Sequence, residues 1–124
     1  MLITRKSTLR HTKPDIKNYA YAASAKVFVT EDLFIYSEQV SPGDRASAPH
    51  FHRDMDEVAI ITKGTLVAFE GSEQVELSEG DSICFEKNSE KLHFLENQSQ
   101  ELAEFLVIRK NLQKDDAVYQ VPKS

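Results

Sequence analysis

The chain has 124 residues, of which 40% are hydrophobic and 28% are charged, a composition typical of one soluble globular domain. The single cysteine excludes an internal disulfide, and no apolar run approaches the roughly 20 residues that a membrane-spanning helix needs. The net charge of −5 disfavours a nucleic-acid surface, which requires clustered positive charge. Because residues 1–3 are followed by polar and basic residues, not by the apolar core of a signal peptide, we expect a cytoplasmic protein.

The N-terminal segment differs in charge from the rest of the chain. Residues 1–17 contain one acidic residue, Asp15, against five basic residues, so the local charge is +4 and the remainder carries −9. The basic residues are Arg5, Lys6, Arg10, Lys13 and Lys17. Two interpretations are open: a targeting or anion-binding arm, or an arm that covers a sheet edge and stays soluble through its charges.

From residue 25 onward, short segments rich in β-branched and aromatic residues alternate with turn residues. The predicted strands are 26–29, 33–40, 57–62, 65–70, 73–77, 82–85, 92–97 and 102–109. Between two of them, the pair Gly71-Ser72 favours a two-residue hairpin loop. This spacing indicates an all-β sandwich or barrel over 26–110, with an N-terminal arm (1–25) that packs on the barrel or on a partner, and a C-terminal tail (111–124).

Residues 49–57 contain the strongest candidate for a binding site. His50 and His52 are two residues apart, so in an extended strand their side chains point to the same face, about 6–7 Å apart along the chain. Glu57 follows five residues after His52, an odd spacing that requires a turn or bulge through 53–56 before its carboxylate can join them. Neutral imidazole is the commonest protein ligand for transition metals, so we expect these side chains to bind one ion.

A third histidine completes the predicted ligand set. His93 lies on another predicted strand, distant in sequence but within reach in a closed β-barrel. The set is therefore His50, His52, Glu57 and His93, and it leaves open the coordination positions that distinguish a reactive metal centre from a structural one. The alternative is that the histidines are ordinary surface or hydrogen-bonded core residues and that Glu57 is solvated.

These residues resemble the first sequence motif of the cupin superfamily, G-x5-H-x-H-x3-4-E-x6-G. The corresponding positions are Gly43, His50, His52, Glu57 and Gly64, with one additional residue after Gly43. Five positions match with a single insertion, which makes this motif a strong signal.

The second cupin motif, G-x5-P-x-G-x2-H-x3-N, is similar to the stretch that begins at Gly80 and includes His93 and Asn97. Glu86 and Asn88 stand where proline and glycine are usual, and the histidine comes two residues late. This insertion fits a longer hairpin over 86–92, in which Asn88 takes the left-handed conformation that glycine usually supplies.

The resemblance implies an all-β fold, a double-stranded β-helix (cupin- or jelly-roll-like) barrel with little helix. It also implies one divalent transition metal ion (Fe, Mn, Ni, Zn or Cu) held by the four predicted ligands, with Glu57 as ligand or as catalytic proton shuttle. The function implied is dioxygenase-, isomerase- or decarboxylase-type chemistry on a small organic molecule; the alternative is non-catalytic binding or sensing of a sugar or other effector. Cupins are often dimers, so we expect a homodimer with a small-molecule ligand and without nucleic-acid or membrane partners.

Several other side chains are candidates for substrate contacts. Arg45 precedes the ligand strand and could bind a carboxylate or phosphate, although an exposed loop arginine is the alternative. Tyr36 is a second candidate, and at least one inward polar group is expected among Tyr36, Glu38, Glu104 and Arg109. Cys84 has no histidine or basic neighbour in sequence, so we expect a buried, inert thiol.

Overall fold

The computed structural model describes residues 1–120, which form ten β-strands and one short 3-10 turn at Lys6–Thr8. The strands are β1 (Ala23–Val29), β2 (Leu33–Val40), β3 (Phe51–His52), β4 (Glu57–Lys63), β5 (Thr65–Glu70), β6 (Glu73–Ser78), β7 (Ser82–Phe85), β8 (His93–Glu96), β9 (Ala103–Lys110) and β10 (Ala117–Val118). The predicted all-β class is confirmed. All eight strands predicted from the sequence are present, with ends that differ by at most three residues.

The strands form three antiparallel sheets. The largest has the order β1-β2-β9-β4-β7, the second has the order β6-β5-β8, and β10 pairs with β3. In the largest sheet β9 lies between β2 and β4, so strands that are distant in sequence become neighbours. An isolated bridge between His50 and His93 joins the segment before β3 to β8 of the second sheet. This topology brings the two predicted motifs side by side.

The hydrophobic core is formed by alternate residues of the strands, which point to its interior. In β4 the core-facing residues are Ala59 and Ile61, and Glu57 lies on the same face by parity. In β8 His93 lies on the same face as the buried Leu95. The core also includes Val40, Leu66, Ala68, Leu77, Phe85, Ala103, Phe105 and Val107. Strand alternation therefore directs both Glu57 and His93 inward from elements that the core holds in place.

The hairpin between β5 and β6 has the predicted two-residue loop Gly71-Ser72. The predicted hairpin over 86–92 is wrong, because this segment connects β7 to β8, which lie in different sheets and do not pair. Asn88 within it has φ 54°, the left-handed conformation expected at this position. Gly64 has φ 71°, and a Cβ at this position would lie 3.0 Å from the carbonyl oxygen of Leu102. A side chain at Gly64 would therefore be strained and would also press on the backbone before β9.

Both ends of the described chain lie against the sheets. Thr12 and Ser24 exchange two backbone hydrogen bonds of 3.0 and 2.9 Å, and Thr4 Oγ1 donates to the carbonyl oxygen of Val27 at 2.6 Å. After β9 the chain returns as β10 to pair with β3. The last four residues of the predicted tail, 121–124, lie outside the described residues. Within residues 1–120, no helix has the length and apolar character needed to cross a membrane.

The prediction of a buried Cys84 is wrong, because the side chain is exposed. In β7 the alternate residues Ile83 and Phe85 pack on the core, so the cysteine between them points outward. Partial burial and the nearby carboxylates, above all Asp56, raise the pKa of its thiol. The thiol is therefore protonated at neutral pH, which fits the expected lack of reactivity.

Candidate metal centre

The predicted ligands meet where the segment around β3 lies beside the start of β8. His50 N–H donates to the His93 carbonyl at 3.2 Å, and His93 N–H donates to the His50 carbonyl at 2.8 Å. This reciprocal pair places the two imidazole centroids 4.7 Å apart. Backbone hydrogen bonds thus join residues of the two motifs, which are far apart in sequence.

His50, His52 and Glu57 form the centre of the cluster. The imidazoles of His50 and His52 are buried, with centroids 4.9 Å apart. The chain then turns through residues 53–56 before Glu57 begins β4, as the odd spacing predicts. One ligand atom from each of the three residues lies within 4.8 Å of the other two. These three side chains can therefore hold one metal ion.

The Glu57 carboxylate lies between two imidazoles. Its Oε2 is 3.2 Å from His52 Nε2, and its Oε1 accepts a hydrogen bond from His93 Nε2, also at 3.2 Å. The His93 ring stacks on Phe85 with a centroid distance of 3.9 Å and an interplanar angle of 1°. His93 is thus held beside Glu57 by Phe85 and by its backbone bridge, but the group of ligand atoms within 4.8 Å of one another contains His50, His52 and Glu57 and does not include His93.

The outer nitrogens of two imidazoles contact acceptors, which fixes their tautomers. His50 Nδ1 lies 2.8 Å from the carbonyl oxygen of Ala48, and His52 Nδ1 lies 2.7 Å from Asp116 Oδ1. A carbonyl oxygen accepts only, as does an ionised carboxylate, so Nδ1 carries the proton in both rings. In the neutral imidazoles, Nε2 then has a free lone pair, as a metal ligand requires.

Two buried imidazole nitrogens have no hydrogen-bond partner among residues 1–120, His52 Nε2 and His93 Nδ1. The approach of Glu57 to His52 Nε2 lacks the geometry of a hydrogen bond. An unpaired buried polar atom costs about 1–3 kcal/mol, so such atoms are rare in folded proteins. A lone pair at His52 Nε2, beside a carboxylate, fits a bound divalent cation.

Electrostatic interactions favour an ionised carboxylate. Burial alone would raise the pKa of Glu57, but the neighbouring imidazoles of His52 and His93 outweigh burial, so the pKa lies below its usual range. Burial lowers the pKa of His50 and favours the neutral imidazole. For His52 burial is outweighed by Glu57 and Asp116, which raise its pKa. The cluster thus has an ionised carboxylate that could attract a cation.

A cavity of about 520 Å³ lies beside the cluster, within the range of roughly 300–1,000 Å³ that is common for small-molecule sites. His50, His52 and Glu57 line it. Strands β2 and β9 supply another wall, which includes Glu38 and Arg109. Segment 110–117 and Tyr119 supply much of the remaining lining. His50, His52 and Glu57 therefore face a space that accommodates a small organic molecule, whereas His93 does not line it.

Glu38 and Arg109 are the inward polar groups that the strand pattern led us to expect. Glu38 accepts a hydrogen bond from Ser24 Oγ, and burial raises its pKa to about 7, although Ser24 and Arg109 oppose the shift. Arg109 Nη1 lies 3.8 Å from Glu57 Oε2, and its guanidinium lies 4.0 Å from the Phe34 ring centroid. Arg109 lies on β9, the strand between β2, which carries Glu38, and β4, which carries Glu57.

The two predicted substrate residues do not line the cavity. Arg45 is exposed, with its Nε 3.3 Å from Glu96 Oε1 and its guanidinium 4.3 Å from the centroid of Phe94. It bridges to Glu96, which alternates with the buried Leu95 and so lies on the outer face of β8. Tyr36 stacks on Phe34 and packs against the core. Their contacts are structural, and neither contact supports a substrate role.

Asp116 is the main site residue that the sequence did not suggest. It contacts His52 from the predicted tail, 64 residues further along the chain, and no motif or periodicity links the two positions. Tyr19 and Ser24, from the predicted arm, also line the cavity. These residues belong to the parts of the chain with the weakest pattern, and only the return of β10 to β3 brings Asp116 to the site.

The fold and this cluster define a small β-barrel protein with a candidate metal centre. The sequence profile of the family described as the cupin domain matches residues 36–109, more than half of the chain. The chain therefore belongs to the cupin family. No curated protein sequence matches it.

Solved structures with the same fold are distant in sequence. A protein described as a sugar phosphate isomerase from a cupin superfamily, from Silicibacter pomeroyi, has 18% identity and a TM-score of 0.75, with 86% of this chain and 73% of that chain covered. A predicted oxalate decarboxylase from Thermotoga maritima has 21% identity and a TM-score of 0.72, covering 90% and 100%. The polyketide cyclase RemF from Streptomyces resistomycificus has 15% identity and a TM-score of 0.73, covering 96% and 90%. At these identities the similarity shows the fold alone.

Proposed function

We propose that this cupin is a metal-dependent protein that converts a small organic molecule by isomerase-, decarboxylase- or dioxygenase-type chemistry. The ligands are His50, His52, Glu57 and His93. The observation that carries the proposal is the buried His52 Nε2, which has no hydrogen-bond partner among residues 1–120 and lies 3.2 Å from an ionised carboxylate beside the cavity. A protein interior rarely retains such an arrangement unless a cation completes it.

The chemistry of the donor set supports this assignment. Imidazole nitrogen together with carboxylate oxygen suits Fe, Mn, Ni, Zn or Cu. A bound ion of this kind would supply Lewis acidity at coordination positions that face the cavity. The low pKa of Glu57 favours its role as an ionised ligand over that of a proton shuttle.

Other residues of the cavity suit a polar small molecule. Glu38 has a pKa of about 7, so it can exchange a proton near neutral pH, and Ser24 orients its carboxyl group. Arg109 offers a guanidinium that can bind an anionic group of the substrate, although Glu57 and Glu38 partly compensate its charge. Among proteins of the same fold, the names sugar phosphate isomerase, predicted oxalate decarboxylase and polyketide cyclase are consistent with small-molecule chemistry.

Metal content tests the first part of the proposal. Protein purified without chelators should contain close to one transition metal ion per chain by elemental analysis, and a His50→Ala/His52→Ala variant should contain almost none. His11→Ala is the matched control, because His11 contacts Ser37 Oγ at 2.8 Å and does not line the cavity. Equal metal content in the double variant and the wild type would overturn the assignment of the ligands.

Turnover tests the second part. Metal-free protein is reconstituted anaerobically with iron, manganese, nickel, copper or zinc and is then offered diphenols, keto acids, sugars and sugar phosphates. Oxygen uptake and product analysis are the readouts, with the His50→Ala/His52→Ala variant as the blank. Turnover that depends on the metal supports an enzyme. Saturable binding of one of these compounds without turnover would instead favour a binding or sensing protein.

The homodimer implied by the family resemblance stays a prediction. Exposed apolar side chains at the β1–β2 turn, Val29 and Leu33, with exposed fractions of 42% and 47%, suit a contact between copies. Sedimentation equilibrium at micromolar concentration should give twice the mass of the chain. The mass of a single chain would contradict the dimer.

A further inference from the structure

We propose that Asp116 is a positioning residue of the metal centre and that the segment 111–119, here named the C-terminal strap, is energetically coupled to metal binding. The proposal rests on the proposed metal-binding function. It goes beyond that function because the strap lies outside the family match, which ends at residue 109. The strap thus adds to the centre a component that the two cupin motifs do not contain.

Both oxygens of the Asp116 carboxylate are used at the site. Oδ1 accepts a hydrogen bond from His52 Nδ1 at 2.7 Å, and Oδ2 accepts one from the backbone N–H of Asp54 at 3.0 Å. The side chains of Asp116 and His52 are each only 4% exposed. One bond orients the imidazole, and the other ties the carboxylate to the turn that leads to Glu57. Asp116 therefore fixes the ring plane and the tautomer of His52.

The backbone holds the strap in position around this contact. Ala117 pairs with His52 and Val118 pairs with Phe51 in the β10–β3 sheet, and Arg53 N–H donates to the Asp116 carbonyl at 3.2 Å. Residues 116–118 of the strap thus pair with residues 51–53, the segment that contains His52. A shift of β10 along β3 would remove the carboxylate from His52, so strap position and ligand orientation change together.

Further contacts anchor both ends of the strap. Asn111, where the strap begins, donates from Nδ2 to the Thr30 carbonyl at 2.6 Å. Near its end, the Tyr119 ring centroid lies 5.7 Å from that of His50. Because the strap also lines the cavity, its release would both loosen His52 and widen access to the ligands.

Coupling of this kind is reciprocal. If the ordered strap increases the affinity for the metal by some factor, the metal must favour the ordered strap by the same factor. A partner of this type to a ligand imidazole typically changes metal affinity by about 10–100-fold. The proposal therefore predicts two measurable effects, one on metal affinity and one on the strap.

Affinity for Zn²⁺ is measured by competition with a chromophoric chelator. Asp116→Ala should weaken binding by about 10–100-fold, and Asp116→Asn should weaken it less, because an amide oxygen can still accept from Nδ1–H. Asp81→Ala is the matched control, since Asp81 Oδ2 accepts from Ser78 N–H at 2.8 Å in the turn before β7, outside the strap and the cavity. Wild-type affinity in Asp116→Ala, or equal losses in Asp81→Ala and Asp116→Ala, would overturn the proposal.

The His52 tautomer is read in chelator-treated protein by nitrogen NMR of labelled histidine, at a pH where the ring is neutral. In the wild type and in Asp81→Ala, Nδ1 should carry the proton. In Asp116→Ala the population should shift towards the Nε2–H form of His52. General loosening of the strap would not change the tautomer of this one ring selectively. An unchanged tautomer in Asp116→Ala would contradict the positioning role.

The two experiments separate the failure of this inference from failure of the proposed function. A tautomer that depends on Asp116 in a chain that binds no metal would overturn the proposed function and retain the positioning role. Tight metal binding without any dependence on Asp116 would do the opposite. Hydrogen exchange adds a third readout: metal should slow exchange at the amides of β10 in the wild type, and equal rates with and without Zn²⁺ would contradict the coupling.

Discussion

Two glutamates face one cavity, and their surroundings shift their pKa values in opposite directions. Glu57, at the start of β4, lies between His52 and His93, and its pKa falls below the usual range. Glu38, in β2, accepts a hydrogen bond from the neutral hydroxyl of Ser24, and its pKa rises to about 7. Burial raises the pKa of both, so the imidazoles account for the difference.

This contrast divides the cavity by chemistry. Glu57 at the start of β4 stays ionised at neutral pH, whereas the β2 wall carries a carboxyl group that changes protonation near neutral pH. Arg109 lies on β9 between them, with Phe34 and Glu57 as its cross-strand neighbours. One cavity thus places an ionised carboxylate and a titrating carboxyl group on separate strands, an arrangement that suits the proposed metal-dependent function.

The largest expected effect comes from removing the charge of Glu57. Glu57→Gln should weaken Zn²⁺ binding by at least about 100-fold, because a neutral amide neither balances the cation nor binds it strongly. Glu38→Gln should weaken binding by less than about threefold, since Glu38 belongs to the wall and not to the ligand cluster. Chelator competition measures both variants. Equal losses would show that the two carboxyl groups do not have separate roles.

The second effect is the pH dependence of stability caused by Glu38. Its pKa is about 7 in the folded chain against 4.5 in the unfolded chain, so its contribution is complete below pH 4.5 and is lost as the pH rises through 7. Relative to Glu38→Gln, the metal-free wild type should lose roughly 2 kcal/mol of unfolding free energy between about pH 5 and pH 8. Urea unfolding in the presence of chelator measures this difference.

The control for this experiment is a glutamate outside the cavity. Glu104 accepts a hydrogen bond from Gln39 Nε2 at 2.6 Å and does not line the cavity. The stability curve of Glu104→Gln should run parallel to that of the wild type over the same pH range. If Glu38→Gln is also parallel to the wild type, Glu38 titrates normally and the contrast between the two glutamates is lost.

Local pattern was sufficient to predict most of the fold and the candidate ligands. Alternating side chains and turn residues determine where strands begin and end, so the eight main strands follow from the sequence. The pair His50 and His52 and the turn before Glu57 depend on spacing over a few residues. Placement of His93 beside them needed the family motif, because strand order in a barrel is not encoded locally.

Features that depend on long-range packing could not be predicted. Asp116 reaches His52 only because β10 returns to β3, a pairing of two-residue strands with no propensity signal. Arg45 was a substrate candidate by proximity in sequence, but its bridge to Glu96 turns it to the outer face. Cys84 was expected to be buried and inert, but it alternates with the core-facing Ile83 and Phe85, and the sequence of β7 alone does not say which face packs on the core.

The smallest expected effect concerns Arg109, which interacts with both carboxyl groups. Arg109→Met retains most of the aliphatic packing on Phe34 and removes a cation 3.8 Å from Glu57 Oε2. A nearby positive charge opposes a bound dication, so Zn²⁺ affinity should rise by about two- to fivefold, a modest change because the Arg109 side chain is 26% exposed and its charge is screened by solvent.

The same substitution should also change the pKa of Glu38. Arg109 lowers the pKa of Glu38, so its loss should raise that pKa further and move the pH-dependent loss of stability to higher pH. Arg45→Met is the matched control, because Arg45 lies outside the cavity and should leave both quantities unchanged. Weaker metal binding in Arg109→Met would show that Arg109 orients Glu57 more than it repels the ion, and the two glutamates would then be coupled through Arg109 instead of acting independently.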